Sequence, residues 1–338
     1  MGTSWRIVLG ALSGVVAAVI WAVSLAIYQP YMQPDGFWTD PATGDQYPEI
    51  GSNNTYWPRD IRQLAILLAF VGVVLVCRAN VRGILAAAVG TVVWIGVDLA
   101  LDRFDVSGGT TAVQLAIGGA VGFVVIAIVA RFVSTDEPGS EFTGHLLATV
   151  AAVCAATTVL ITTPWEEPVT DAEQVQVENA LSLLKVGLVL MFAAVALALL
   201  PLGRIVWMVP FAGVAALAAW PATATYGLPG MLGLLFLPAG AATAVAAARG
   251  VPPLRLLGVL VACALALIPV YVLLYIIGSA IGGAMTSLAD NPPINSADTD
   301  LSLSFAALML GLVFAVISHL LTRPAVEAAA PLAVAQPE

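Results

Sequence analysis

Long apolar runs separated by short polar links set the rhythm of this chain. A helix needs roughly 20 apolar residues to cross the hydrocarbon core of a bilayer. On that rule the sequence predicts an all-α polytopic transmembrane bundle of about ten spans. They fall at 6–28, 63–77, 83–101, 112–130, 145–163, 180–200, 205–221, 229–248, 256–284 and 301–321. The seventh and eighth come from one uncharged stretch between Arg204 and Arg249. It divides at PATATYGLPG, where Pro221, Gly227, Pro229 and Gly230 favour a reversal. The ninth is long and carries Pro269, so it must tilt, kink or break.

Arginine placement orients the spans. With the N-terminus inside, eight arginines (Arg6, Arg78, Arg82, Arg131, Arg204, Arg249, Arg255 and Arg323) fall on the cytoplasmic side and three (Arg59, Arg62 and Arg103) outside. That asymmetry predicts both termini in the cytoplasm. The sequence Ser24–Ala26 resembles a small-residue cleavage site. The apolar run before it is longer than a usual signal core and only Arg6 precedes it, so residues 6–28 are read as a span. The expected organisation is one transmembrane domain over 1–323, with a long outer loop at about 29–62. The Ala/Pro-rich tail, 324–338, is expected to be cytoplasmic and disordered.

Composition sharpens this picture. The chain has 338 residues, 60% of them hydrophobic and 10% charged, with mean hydropathy +0.97, which leaves no room for a separate soluble domain. The net charge of -9 is unevenly placed, with fifteen acids expected outside and five inside. No basic patch exists, which excludes nucleic acid as a partner. Cys77, Cys154 and Cys263 lie within or at the ends of apolar runs, in no disulfide or metal spacing. The Ala/Val/Gly/Arg-rich usage resembles that of a high-GC bacterium, so the expected location is a cytoplasmic (inner) membrane.

Candidate chemistry begins with Lys185, the only lysine, inside the sixth span. Thr170–Glu173 matches a capping box. From that start Gln174, Glu178, Ser182 and Lys185 share one helix face, a polar stripe descending into the membrane. In the third span Asp98, Asp102 and Asp105 likewise share a face. Both stripes reach about 5–8 Å below the outer interface. Asp98 and Lys185 are therefore expected to pair, with Glu178, Ser182 and Asp102 lining an ion or substrate pathway. The bland alternative is a snorkelling lysine reaching the headgroups.

The first outer loop crowds Tyr28, Tyr31, Phe37, Trp38, Tyr47, Tyr56 and Trp57 with Asp35, Asp40, Asp45, Glu49 and Asp60. Trp38, Asp40, Asp45 and Trp57 are the candidates for a contact surface there. Polytopic lipid-linked glycosyltransferases keep catalytic carboxylates in such a loop, but this one lacks an adjacent acidic pair at its start. His145 and His319 fall near the inner ends of their spans and are read as interfacial. There is no zinc-protease, P-loop or nucleophile-elbow motif, so no metal, cofactor or catalytic residue is expected. Gly10/Gly14, Gly118/Gly122 and Gly278/Gly282 are spaced for close helix contact.

Three functions remain from sequence. The leading one is a transporter or permease-like protein, with a shallow charged site open to the outer face and a small solute or ion as ligand. The second is a non-catalytic membrane subunit docking a protein partner through its outer loops. The third is a membrane enzyme using the first-loop carboxylates.

Overall fold

The structure, a computed structural model, describes residues 3–33, 37–48, 56–135, 139–161, 172–200, 206, 208–219, 227–292 and 301–322. The chain enters as α1 (Thr3–Val23), continues through a π-helical turn (Ser24–Tyr28), and adds one α-turn, α2 (Gln29–Met32). A short antiparallel hairpin follows, β1 (Phe37–Thr39) and β2 (Gln46–Pro48), with Trp38 opposite Tyr47. Next come α3 (Trp57–Val76), α4 (Val81–Arg103), α5 (Gly109–Val133) and α6 (Glu141–Thr158), the last ending in a 3-10 turn, Val159–Ile161. The second half is α7 (Ala172–Ala198), α8 (Met208–Ala219), α9 (Gly227–Ala248), α10 (Pro253–Ala289) and α11 (Leu303–Thr322).

Among the described residues, seven helices are long and apolar enough to cross a membrane. They are the Trp5–Met32 run, α4, α5, α6, the Asn179–Ala198 part of α7, α10 and α11. The described residues are thus helical apart from the hairpin and short links, and compatible with a multi-pass membrane protein. α8 and the Leu235–Ala248 part of α9 are shorter apolar helices. Residues 220–226, which hold most of the expected reversal between them, lie outside the described residues, as do Thr170, Asp171 and the tail.

The core sits on α3 and α6. In α6, 89% of the best apolar window is buried, because its Ala- and Thr-rich surface lets neighbours approach closely. Gly311 of α11 shows how closely: a Cβ there would lie 2.8 Å from the Val150 backbone. α4, α5 and α10 lie at the periphery, with rows of apolar side chains turned outward.

α1 and α3 meet where Gly10 faces Gly72. A Cβ on Gly10 would fall 2.6 Å from the Gly72 carbonyl oxygen, and one on Gly72 would fall 2.8 Å from that of Gly10. Both obstacles are backbone, so neither can swing away. Gly10→Ala is expected to cost about 1–3 kcal/mol by forcing the two helices apart. Gly118→Ala is the control: among the described residues nothing lies within 4 Å of its would-be Cβ. It should gain about 0.5–1 kcal/mol from helix propensity. Thermal melting in detergent checks both; a Gly10→Ala protein that melts with wild type contradicts the contact.

The second span differs from expectation. α3 starts at Trp57, not near Gln63, so Arg59, Asp60 and Arg62 belong to a buried helix rather than an outer loop. Pro58 in its first turn needs no amide partner, and Asp60 complements the positive helix end. Trp57 is only 3% exposed, which removes it from the expected contact surface. α10 also runs past its expected ends, remains one helix through Pro269, and stops where Asp290 turns left-handed at φ 61°.

Candidate functional site

The structure brings together two of the five expected pathway residues, Asp98 and Asp102, and joins them to an arginine. Spacing of four residues puts both carboxylates on the α4 face turned toward α3. Arg62, fully buried one turn into α3, lies between them. Its Nε donates to Asp98 Oδ1 at 2.9 Å and Oδ2 at 3.1 Å, and its Nη2 donates to Asp102 Oδ2. The indole of Trp21, from α1, donates to Asp98 Oδ1 at 2.8 Å. Asp98 therefore pairs with Arg62, not with Lys185.

The rest of the guanidinium is also held. Arg62 Nη1 donates to Gln29 Oε1 at 2.7 Å. Gln29 donates to Gln33 at 3.5 Å, Gln33 to Asn291 at 3.0 Å, and Asn291 to Asp102 at 3.1 Å. Arg62, Asp102, Asn291, Gln33 and Gln29 thus close a ring of hydrogen bonds. A buried charge is tolerable only when so paired. The ring ties α3, α4, the α1–α2 junction and the end of α10 at one point.

A second set of bonds fixes the next face of α3. Arg59 lies over the Tyr56 ring, 4.4 Å from its centroid, and donates to Thr286 Oγ1 at 2.7 Å. Gln63, four residues on, donates to Met285 Sδ at 2.9 Å and accepts from Ser302 and Ser304 at 3.3 and 3.1 Å. Tyr56 donates its hydroxyl to the Pro292 carbonyl.

Above the ring opens a vestibule of about 430 Å³. Gln29, Gln33, Asp102, Asp105 and Asp290 supply its charged and carboxamide lining. Asp290 is balanced by exposed Arg103, Nη2 to Oδ2 3.3 Å. Asp105 projects from the turn after α4, where its φ of 48° is left-handed. The site's chemistry is that of an acidic, hydrogen-bonding cup on a rigid base. Among the described residues no group of three or more His, Cys, Asp or Glu could hold a metal ion.

Lys185 stands elsewhere. It lies on α7, which packs against α1, α3, α6 and α8, and its side chain is completely buried. Its Nζ has no hydrogen-bond partner among the described residues. It neither pairs with Asp98 nor snorkels. Ser182, one turn earlier, is buried as well. Glu178 lies on α7, but its side chain is outside the described residues.

Of the first-loop candidates that fall on the hairpin, Asp40 and Asp45 are described with their side chains. Asp40 closes the hairpin turn, accepting from the Ala42 amide at 2.8 Å, and Asp45 is exposed in the same turn. Trp38 sits on β1 with its side chain outside the described residues, as is all of Asp35. His145 is buried, with its ring 6.2 Å from that of His319. The three cysteines are free and buried.

Sequence reasoning missed Trp21, Gln29, Gln33, Asn291 and the role of Arg62. The signal available was Pro58, which opens a helix and so puts Arg62 inside it.

No known protein family, curated protein or solved structure matches the chain. Fold and site together define a class: an all-helical protein compatible with several membrane crossings, with a buried arginine–carboxylate ring beneath a polar cup.

Proposed function

We propose that the chain is a permease-like protein of the cytoplasmic membrane, with ten spans and both termini inside. In this reading the vestibule opens to the outer face and receives a small cationic or hydroxyl-rich solute. The observation that carries it is the cup itself. Its volume of about 430 Å³ falls in the ~300–1,000 Å³ range of small-molecule sites. Two carboxylates, Asp98 and Asp102, face the one guanidinium of Arg62. Asp105 adds a third carboxylate at the rim. Arg62 has its donors committed, so an anionic ligand would meet carboxylates and no free cation among the ring residues.

The test is flux of a panel of small organic cations and neutral polyols into vesicles holding the purified chain. Asp105→Asn is the informative variant, because asparagine tolerates the left-handed backbone and the fold should be unchanged. Uptake of a transported cation is expected to weaken about tenfold, the effect of losing one fixed charge at a half-solvated wall. No flux across the panel from a folded protein would sink the permease reading.

The second reading is a non-catalytic subunit that docks a protein partner. It draws on the exposed turn of the hairpin, Pro41–Gln46.

A further inference from the structure

A second cavity lies on the other side of α4. It is a groove of about 500 Å³ between α4 and α5, lined almost entirely by apolar side chains. Trp21 and Trp94 line it, packed edge to face with centroids 5.5 Å apart at 87°. Gly118 and Gly122 leave α5 open: among the described residues nothing lies within 4 Å of a Cβ at either. Around it Val93, Val97, Val121 and Val125 all face outward. On helices apolar enough to cross a membrane, the medium at such a surface is hydrocarbon.

The groove's reach matches one leaflet. Along α4 it runs from Gly90 to Leu101, about 16 Å at 1.5 Å per residue. Half of a ~30 Å hydrocarbon core is about 15 Å. On α5 it begins at Gln114, five residues from the helix start, and ends at Ile126. It therefore extends from one end of both helices to mid-helix. Its one carboxamide, Gln114, stands at the end of the groove nearer the start of α5. A cleft left empty there would forfeit the dispersion contacts of its lining.

We propose that the α4–α5 groove binds one acyl chain of a bilayer phospholipid, with Gln114 donating to the ester carbonyl. The Trp21 ring that lines it also hydrogen-bonds Asp98 through its indole nitrogen, so the bound chain rests on the base of the arginine–carboxylate ring. This site does not depend on the vestibule carrying a solute.

The experiment places the full chain in phosphatidylcholine vesicles doped with phosphatidylcholine bearing a photoreactive diazirine on its acyl chain. After illumination, adducts are mapped by peptide mass spectrometry. The reference surface is the exposed face of α10 at Leu265, Ile268 and Val272, which lipid also covers. A several-fold excess of adducts on Val93–Leu101 and Gln114–Ile126 is expected over that face. Gly118→Leu with Gly122→Leu fills the groove from positions with open space, and should reduce the excess to the α10 level while the protein melts no lower than wild type. Equal labelling of groove and α10, or an excess unchanged in the filled variant, overturns the proposal. So does efficient cross-linking of two copies through Gly118→Cys without lipid adducts, which would give the groove to a second chain.

Discussion

Arg62→Ala is expected to lower stability by about 3–5 kcal/mol, because it leaves two buried carboxylates without their cation. Asp98 and Asp102 are fully or almost fully enclosed, and Arg62 is the cation that both are bonded to. Arg62→Lys should recover only part of the loss, since one ammonium cannot reproduce the fork that reaches Asp98, Asp102 and Gln29 at once. The double variant Arg62→Met with Asp98→Asn should be more stable than Arg62→Ala alone, because one of the two orphaned charges is gone. Thermal melting in detergent ranks the set. An Arg62→Ala protein that melts with wild type would mean the ring is not formed in solution.

Lys185→Met is expected to act in the opposite direction. The amine is wholly buried and meets no acceptor among the described residues. A buried polar group without a hydrogen bond costs about 1–3 kcal/mol, and a charged one more. Methionine fills a similar linear volume with flexible apolar atoms. A gain of about 1–3 kcal/mol should follow on that account. If the same variant melts higher yet loses flux in the vesicle assay, the lysine is kept for work at the expense of stability, a known trade. A Lys185→Met protein that melts lower than wild type contradicts an unpaired amine.

Much of the fold was legible because long apolar runs can do little else. α4, α5, α6 and α11 lie within a few residues of their expected spans. The α4 face with Asp98 and Asp102 was legible from spacing alone, since four residues return to the same side of a helix. Their partner was not. Arg59, Asp60 and Arg62 depress local hydropathy, so an apolar window begins after them and hands them to the loop. Pro58 was the one local hint that α3 includes them; their burial had no such signal. Lys185 failed for a related reason. Depth along one helix says how far a side chain is from water, not what its neighbours put in the way. The glycine pairs make the same point. Gly10 and Gly14 are pressed against Gly72 and Phe123, while Gly118 and Gly122, with identical spacing, face open space.

α10 carries a geometric consequence. Its 37 residues make a rod about 55 Å long, while a whole bilayer with headgroups is only about 40–45 Å thick. A rod of that length, straight through Pro269 and held within the bilayer, leans by roughly 35°. Its foot at Pro253 and its head at Ala289 then stand roughly 30 Å apart in the plane of the membrane.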